Sequence, residues 1–263
     1  GEPLLAIECF RRACRIRPNE LNSLNHYIAS TGNYPSEAPA ESDLQTLTQL
    51  AKDLYGIKSI DYTRAAINAS GGYLNLAKKA QDSEEAGRLS KEAIDLLVEA
   101  LDQLKNMRPK PDELIAELRI PLSQAYALTD LGRAASTASL SVKDVAVLKD
   151  SSDPLYVRAK SNLFALRMQE SDAMAKKGLS KESSKIALEA VSEFETVLNG
   201  IVEPRRLAWS TLATAHFSLG NAFMAKREIK KALKHSDTAL QTWRLEDAGN
   251  WSQDFISALY LSG

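Results

Sequence analysis

The stretch Lys91–Leu104, KEAIDLLVEALDQL, decides the fold class. Its apolar residues recur at intervals of three and four, which is the spacing of one face of an α-helix, and its acidic residues lie on the opposite face. The same spacing runs along most of the chain, and no segment alternates with a period of two and ends in a hairpin turn. Ser42, Ser90 and Ser180 precede such apolar runs with an acidic residue close behind, so we expect them to cap helix N-termini. The sequence therefore predicts about a dozen helices and no strands.

A triplet of residues within this stretch returns along the chain. It consists of an Ala, a bulky residue four positions later and a small or β-branched residue three positions after that, as in Ala93-Leu97-Ala100. The Ala lets a neighbouring helix approach closely, and the bulky residue one turn on fills the adjacent gap. Further copies, some of them looser, are Ala6-Phe10-Ala13, Leu47-Ala51-Leu54, Ala138-Val142-Val145, Ala190-Phe194-Val197 and Ala232-Ser236-Ala239. Their anchoring alanines are 42 to 52 residues apart, which predicts stacked helical hairpins that bury a continuous core.

Two of these segments resemble the tetratricopeptide repeat (TPR) family. The triplet that starts at Ala6 and is followed by Pro18 resembles the second helix of that repeat. A longer match has the family's Leu-Gly pair, aromatic residue and two alanines at the family's own spacing: Leu219-Gly220, Phe223, Ala232 and Ala239. It departs from the family at Ser236 and Arg244, where a bulky residue and a proline are usual.

The resemblance implies an all-α fold, a right-handed superhelical solenoid of antiparallel helix pairs. About five or six pairs fit the chain, with repeats longer than the ~34 residues usual in the family. We expect residues 1–263 to form a single domain. Because the sequence begins within a repeat, we also expect it to be a fragment of a longer chain. A bacterial origin is expected from the TPR resemblance.

The balance of charge excludes several classes of function. The chain has 33 Lys and Arg residues against 34 Asp and Glu residues, whereas proteins that bind nucleic acid or acidic lipid carry a basic excess. Residues 207–225 carry no formal charge, but they contain too many Ser, Thr, His and Asn residues for a lipid-facing span. We therefore expect no nucleic-acid partner and no membrane insertion. A cytoplasmic location is favoured, an extracytoplasmic one stays open if upstream sequence has been removed, and the oligomeric state is open.

Motifs for catalysis, cofactors and metals are absent from the sequence. It has no dinucleotide-binding fingerprint, no Gly-Lys-Ser/Thr phosphate loop and no His-Glu-x-x-His zinc motif. Cys9 and Cys14 lie about 140° apart around a helix, so they cannot form a disulfide with each other. His216 is interpreted as a hydrogen-bonded core or groove residue rather than a ligand. We expect no enzymatic activity, no cofactor and no metal site.

The candidate binding residues follow from the TPR resemblance, which implies that the first helices of the pairs line a concave groove for a peptide. The groove positions of the best-matched repeat correspond to Phe217, Asn221 and Met224. Asn221 matches an Asn that binds a peptide backbone or terminal carboxylate in some members. Phe217 replaces the Lys that completes such a carboxylate clamp, so a more apolar peptide is expected. The alternative that Phe217 and Met224 pack in the core stays open.

The densest basic run, which includes Lys226, Arg227 and Lys230, is a candidate anion contact. The favoured function is a non-catalytic scaffold that binds a protein or peptide of unknown identity in the groove. Two alternatives stay open. One is an all-helical small-ligand-binding protein or enzyme whose site assembles from distant residues, and the other is a structural spacer or self-association module.

Overall fold

The computed structural model describes residues 3–17, 20–31, 39–150, 153–201, 216–217, 219–220, 223 and 228–246. The helices of these ranges are α1 (Pro3–Ile16), α2 (Leu21–Thr31), α3 (Glu41–Tyr55), α4 (Ile60–Lys79), α5 (Ser83–Asn106), α6 (Asp112–Ala127), α7 (Leu131–Leu148), α8 (Pro154–Lys176), α9 (Ser180–Asn199) and α10 (Ile229–Glu246). No strand occurs within them. The chain divides into two compact units, residues 1–137 and 138–263. The prediction of one domain over residues 1–263 stays a prediction.

Helix α4 occupies the centre of the first unit. It packs against α3 and α5, its neighbours along the chain, and it also contacts α2 and α6. Four neighbouring helices can approach because many of its buried residues are small: Ala65, Ala66, Ala69, Ser70, Gly72 and Ala77. The first helices α2, α4 and α6 thus contact one another in succession, while α3 and α5 pack against them.

The repeated alanines lie where the sequence pattern predicts, with one exception. Five of them are almost completely buried, at 0 to 2% exposure: Ala51, Ala93, Ala138, Ala190 and Ala232. Ala6, in α1, is exposed, so the prediction that it marks a close helix contact is wrong. Leu54, the third member of the looser copy in α3, is also exposed. Burial of an Ala on five successive second helices supports the predicted nesting of hairpins.

Aromatic packing forms the core of the second unit. The rings of Phe164 in α8 and Phe194 in α9 stack with their centroids 4.7 Å apart. The buried cluster around them combines residues of α8, α9, α10 and the helical positions before α10: Val157, Phe164, Ala190, Val191, Phe194, Leu198, Leu219, Phe223 and Ala232. Leu219, Phe223 and Ala232 are the TPR-like residues of the best-matched repeat, so their similarity to the family reflects a shared role in packing.

Two glycines allow the closest helix approaches. A Cβ atom on Gly72 of α4 would lie 2.5 Å from Cδ2 of Leu44 in α3. A Cβ atom on Gly220 would lie 2.9 Å from Oγ of Ser236 and 3.3 Å from the carbonyl oxygen of Ala232, both in α10. The small Ser236 therefore replaces the family's usual bulky residue at a point where α10 comes very close to Gly220.

The predicted N-caps are wrong. Ser90 lies inside α5, where its hydroxyl donates a hydrogen bond to the carbonyl oxygen of Ala86 at 2.7 Å. Ser42 and Ser180 lie within the first turns of α3 and α9. The side chains that accept a hydrogen bond from the first turn are those of Ser59 before α4, Asp82 before α5, Asp130 before α7 and Asp153 before α8. Helix α5 starts earlier than its apolar pattern indicates, because Asp82 supplies a cap two turns before Ser90.

Candidate functional site

The structure leaves the sequence-predicted site residues largely untested. Asn221, Met224, Lys226 and Arg227 lie outside the described residues. Phe217 is helical and half-buried, and Lys230 is exposed in the first turn of α10. The predicted peptide-binding set and the predicted anion contact both stay predictions.

A polar face in the first unit provides a better-defined candidate. Helices α2 and α4 contact each other. Each carries residues spaced three or four positions apart that are exposed or half-buried, so these residues share one face of their helix. We call this surface the α2–α4 face and define it by Asn22, Asn25, Arg64, Asn68 and Gly71. It lies on the first helices, which are expected to line the groove.

A pair of asparagines joins the two helices at the middle of this face. Nδ2 of Asn68 donates a hydrogen bond to Oδ1 of Asn25 at 2.8 Å, and both side chains are half-buried. A primary amide has two N–H donors and one carbonyl acceptor with two lone pairs, so one bond does not exhaust either residue. The pair can therefore offer a donor and an acceptor together to a ligand lying across α2 and α4.

The residues that flank the pair along α4 leave it accessible. Gly71 has no atom within 4 Å of the position that a Cβ would occupy, so the helix backbone is open to close approach there. Arg64 is exposed one turn before Asn68 and provides a positive charge beside the amides. The α2–α4 face is thus a polar surface that a ligand can reach.

Tyr62 holds α4 in place behind this face. Its side chain is buried, and its hydroxyl donates a hydrogen bond to the Glu99 carboxylate of α5. Burial, together with the hydrogen bond to Glu99 and the negative charge of that residue, raises the pKa of Tyr62 above its usual range. A hydrogen bond between a hydroxyl and a carboxylate is a strong one, so it adds to the packing that holds α4 against α5.

A sequence signal for this site exists in the first helices, whereas the Ala triplet lies in the second helices. The pattern Tyr-x-Arg-Ala-x-x-Asn occurs twice, once in each unit: Tyr62, Arg64, Ala65 and Asn68 in α4, and Tyr156, Arg158, Ala159 and Asn162 in α8. In both copies the Arg is exposed and the Ala is buried. A search for repeats in the first helices finds Asn68, although it does not show that Asn25 is its partner.

Metal-binding groups and membrane-spanning helices are absent from the described ranges. Within them, no group of three His, Cys, Asp or Glu side chains is placed to hold a metal ion. No helix of this part of the chain is long and apolar enough to cross a membrane.

No protein-family model and no curated protein sequence matches the chain. Solved structures do. One is a crystal structure of a singly substituted putative kinesin light chain with nearly identical TPR-like repeats, from Podosopora anserina. Its sequence is 15% identical to this chain, and the TM-score is 0.56. The match covers 86% of this chain and 95% of that chain. A second structure of such repeats from the same organism is 14% identical, with 89% and 99% covered and a TM-score of 0.54. BtubC (BKLC) from P. vanneervenii is 13% identical, with 99% and 78% covered and a TM-score of 0.49.

The likeness to the two Podosopora structures is one of fold. It confirms the predicted all-α class and the resemblance to TPR repeats, so the chain has a divergent TPR-like helical repeat fold. The bacterial origin that we expected has no support from these comparisons.

Proposed function

We propose that the chain is a non-catalytic scaffold that binds an extended peptide of a protein partner across the α2–α4 face. The observation that carries this proposal is the Asn25–Asn68 amide pair, half-buried where two successive first helices meet. Peptide main chains present N–H donors and C=O acceptors whatever their sequence, and side-chain amides match both kinds of group. A polar face with paired amides on a helical repeat fold is suited to this mode of recognition.

Arg64 adds a preference for acidic peptides to this sequence-independent contact. Its guanidinium is exposed one turn from Asn68, and guanidinium groups bind carboxylates through charged hydrogen bonds. An acidic side chain of the peptide would lie beside Arg64 while the main chain contacts the amides. In the second unit, Phe217, Asn221 and Met224 remain proposed peptide contacts, and Lys226, Arg227 and Lys230 remain a proposed anion contact.

The proposal predicts that Asn68→Leu weakens peptide binding about tenfold or more, which corresponds to about 1.4 kcal/mol. Leu removes the hydrogen-bonding groups while keeping a side chain of similar size. Peptides selected from a random library against the immobilised chain provide the ligand, and isothermal titration calorimetry on each variant gives the dissociation constant. Asn25→Leu is expected to act in the same direction.

Gln103→Leu is the matched control, since Gln103 is a half-buried amide on the second helix α5 and lies outside the α2–α4 face. It should leave the affinity unchanged. If Asn68→Leu and Gln103→Leu bind the selected peptides equally well, the α2–α4 face is not the binding surface. If the library yields no binder and the chain self-associates instead, the spacer or self-association alternative is favoured.

A further inference from the structure

Two histidines are in direct contact inside the second unit. The Nδ1 atoms of His216 and of His235 in α10 are 3.0 Å apart, and the two rings stack with centroids 5.3 Å apart. The His235 ring also stacks on Phe223, with centroids 5.5 Å apart. His235 is only 2% exposed, and His216 is half-buried. The pair therefore forms part of the contact between α10 and the helical residues that precede it, His216, Gly220 and Phe223.

This geometry accommodates one proton between the two Nδ1 atoms and not two. A hydrogen bond between ring nitrogens requires a proton on one Nδ1 and a lone pair on the other. In a doubly charged pair, two N–H donors and two positive charges would face each other at the observed distance with no acceptor between them. The contact is compatible with a neutral or a singly charged pair, and a second charge must separate the rings.

Charged side chains of α9 and α10 surround the pair. Oε1 of Glu195 in α9 lies 4.0 Å from Nε2 of His235, and this carboxylate favours a cation on His235. Lys231 and Lys234 of α10 oppose it. Nζ of Lys231 also lies 3.9 Å from Glu195 and 3.4 Å from Glu228. The negative charge of Glu195 is therefore already shared with Lys231 and cannot compensate two positive charges on the histidines.

The pKa values of both groups respond to this environment. Burial, the neighbouring His235 and Lys234 lower the pKa of His216 to about 4. Burial also lowers the pKa of His235, with Lys234 and Lys231 acting in the same direction and Glu195 against them. The unfolded chain has the higher histidine pKa, so it binds more protons than the folded chain between the two values. Stability conferred by the neutral pair is present above about pH 6.5 and is lost as the pH falls toward 4.

We propose that the His216–His235 pair is an acid-sensitive switch that separates α10 from the helical residues His216, Leu219, Gly220 and Phe223 when the pair takes up its second positive charge. The first unit contains only His26, which is exposed, so it has no equivalent pair and is expected to keep its fold over the same pH range. This inference does not depend on the proposed peptide-binding function.

The chain contains its own reporter for the test. Its three tryptophans, Trp209, Trp243 and Trp251, all belong to the second unit, so intrinsic fluorescence monitors that unit while circular dichroism monitors all helices. On acidification from about pH 7 to pH 4, we expect a fluorescence transition that is steeper than a one-proton titration, with partial loss of helix. His216→Asn places an amide at the position of Nδ1 and cannot take up a proton. It should move the midpoint at least one pH unit lower and make the transition shallower.

His26→Asn is the matched control and should change neither the midpoint nor the slope. NMR titration of the unsubstituted chain follows its three histidines separately, so the test remains decisive if His216→Asn does not fold. We expect His216 and His235 to titrate together at low pH with the fluorescence change. The proposal is overturned if the two histidines of the pair titrate independently near the ordinary value, or if a folded His216→Asn protein retains the original midpoint and slope.

Discussion

Phe194→Ala is expected to lower the free energy of unfolding of the second unit by about 3–5 kcal/mol. Phe194 is 2% exposed in α9, and its ring stacks on Phe164 of α8 within the buried aromatic cluster. Alanine removes the ring and leaves a cavity between helices that cannot fully collapse. Urea unfolding monitored by tryptophan fluorescence measures the loss, because all tryptophans lie in this unit.

Leu188→Ala is the control for this prediction. Leu188 lies on the same helix but is 56% exposed, so its replacement should change the stability by no more than about 0.5 kcal/mol. A loss for Phe194→Ala as small as that of the control would remove Phe194 from the core and would contradict the packing of α8 against α9.

Gly72→Ala is expected to destabilise the first unit by about 1–3 kcal/mol, because the added methyl group would lie 2.5 Å from Cδ2 of the buried Leu44. The neighbouring residue provides a control of opposite sign. A Cβ on Gly71 meets no atom within 4 Å, so Gly71→Ala should stabilise the helix by about 0.5–1 kcal/mol, since alanine is the better helix former. Urea unfolding monitored by circular dichroism tests both. Equal effects of the two substitutions would show that α3 and α4 do not approach closely at Gly72.

The repeat of small residues was predictable because close helix packing constrains the sequence at fixed intervals. Ala93, Leu97 and Ala100 recur at helical spacing, and all three are completely buried. The pattern fails at Ala6, which has the right spacing and is exposed. A triplet shows which residues share a helix face, but it does not show whether a partner helix covers that face.

Helix starts were less predictable than helix faces. Ser90 has the sequence pattern of an N-cap, because an acidic residue follows two positions later. In the structure, however, α5 begins at Ser83 and its N-cap is Asp82. The polar segment Ser83–Arg88 lacks the apolar spacing that reveals a buried helix, because it is largely exposed. A capped, solvent-facing first turn leaves little hydrophobic signal in the sequence.

The two polar pairs depend on contacts that a single sequence does not record. Asn25 and Asn68 are 43 residues apart and belong to different hairpins, so their hydrogen bond depends on how α2 and α4 are rotated. The interpretation of His216 as a hydrogen-bonded core or groove residue agrees with its half-buried position, but His235 could not be identified as its partner. The sequence shows that polar residues of these types are present. Only the tertiary packing determines which of them are in contact.

A crystal structure of the chain bound to a library-selected peptide tests the central claim most directly. We predict that the peptide is extended, that its main-chain N–H or C=O groups lie within hydrogen-bonding distance of the Asn25 and Asn68 amides, and that it crosses α2 and α4 near Gly71. A peptide bound to the outer surface of α3 and α5, with the Asn25–Asn68 pair untouched, would contradict the account.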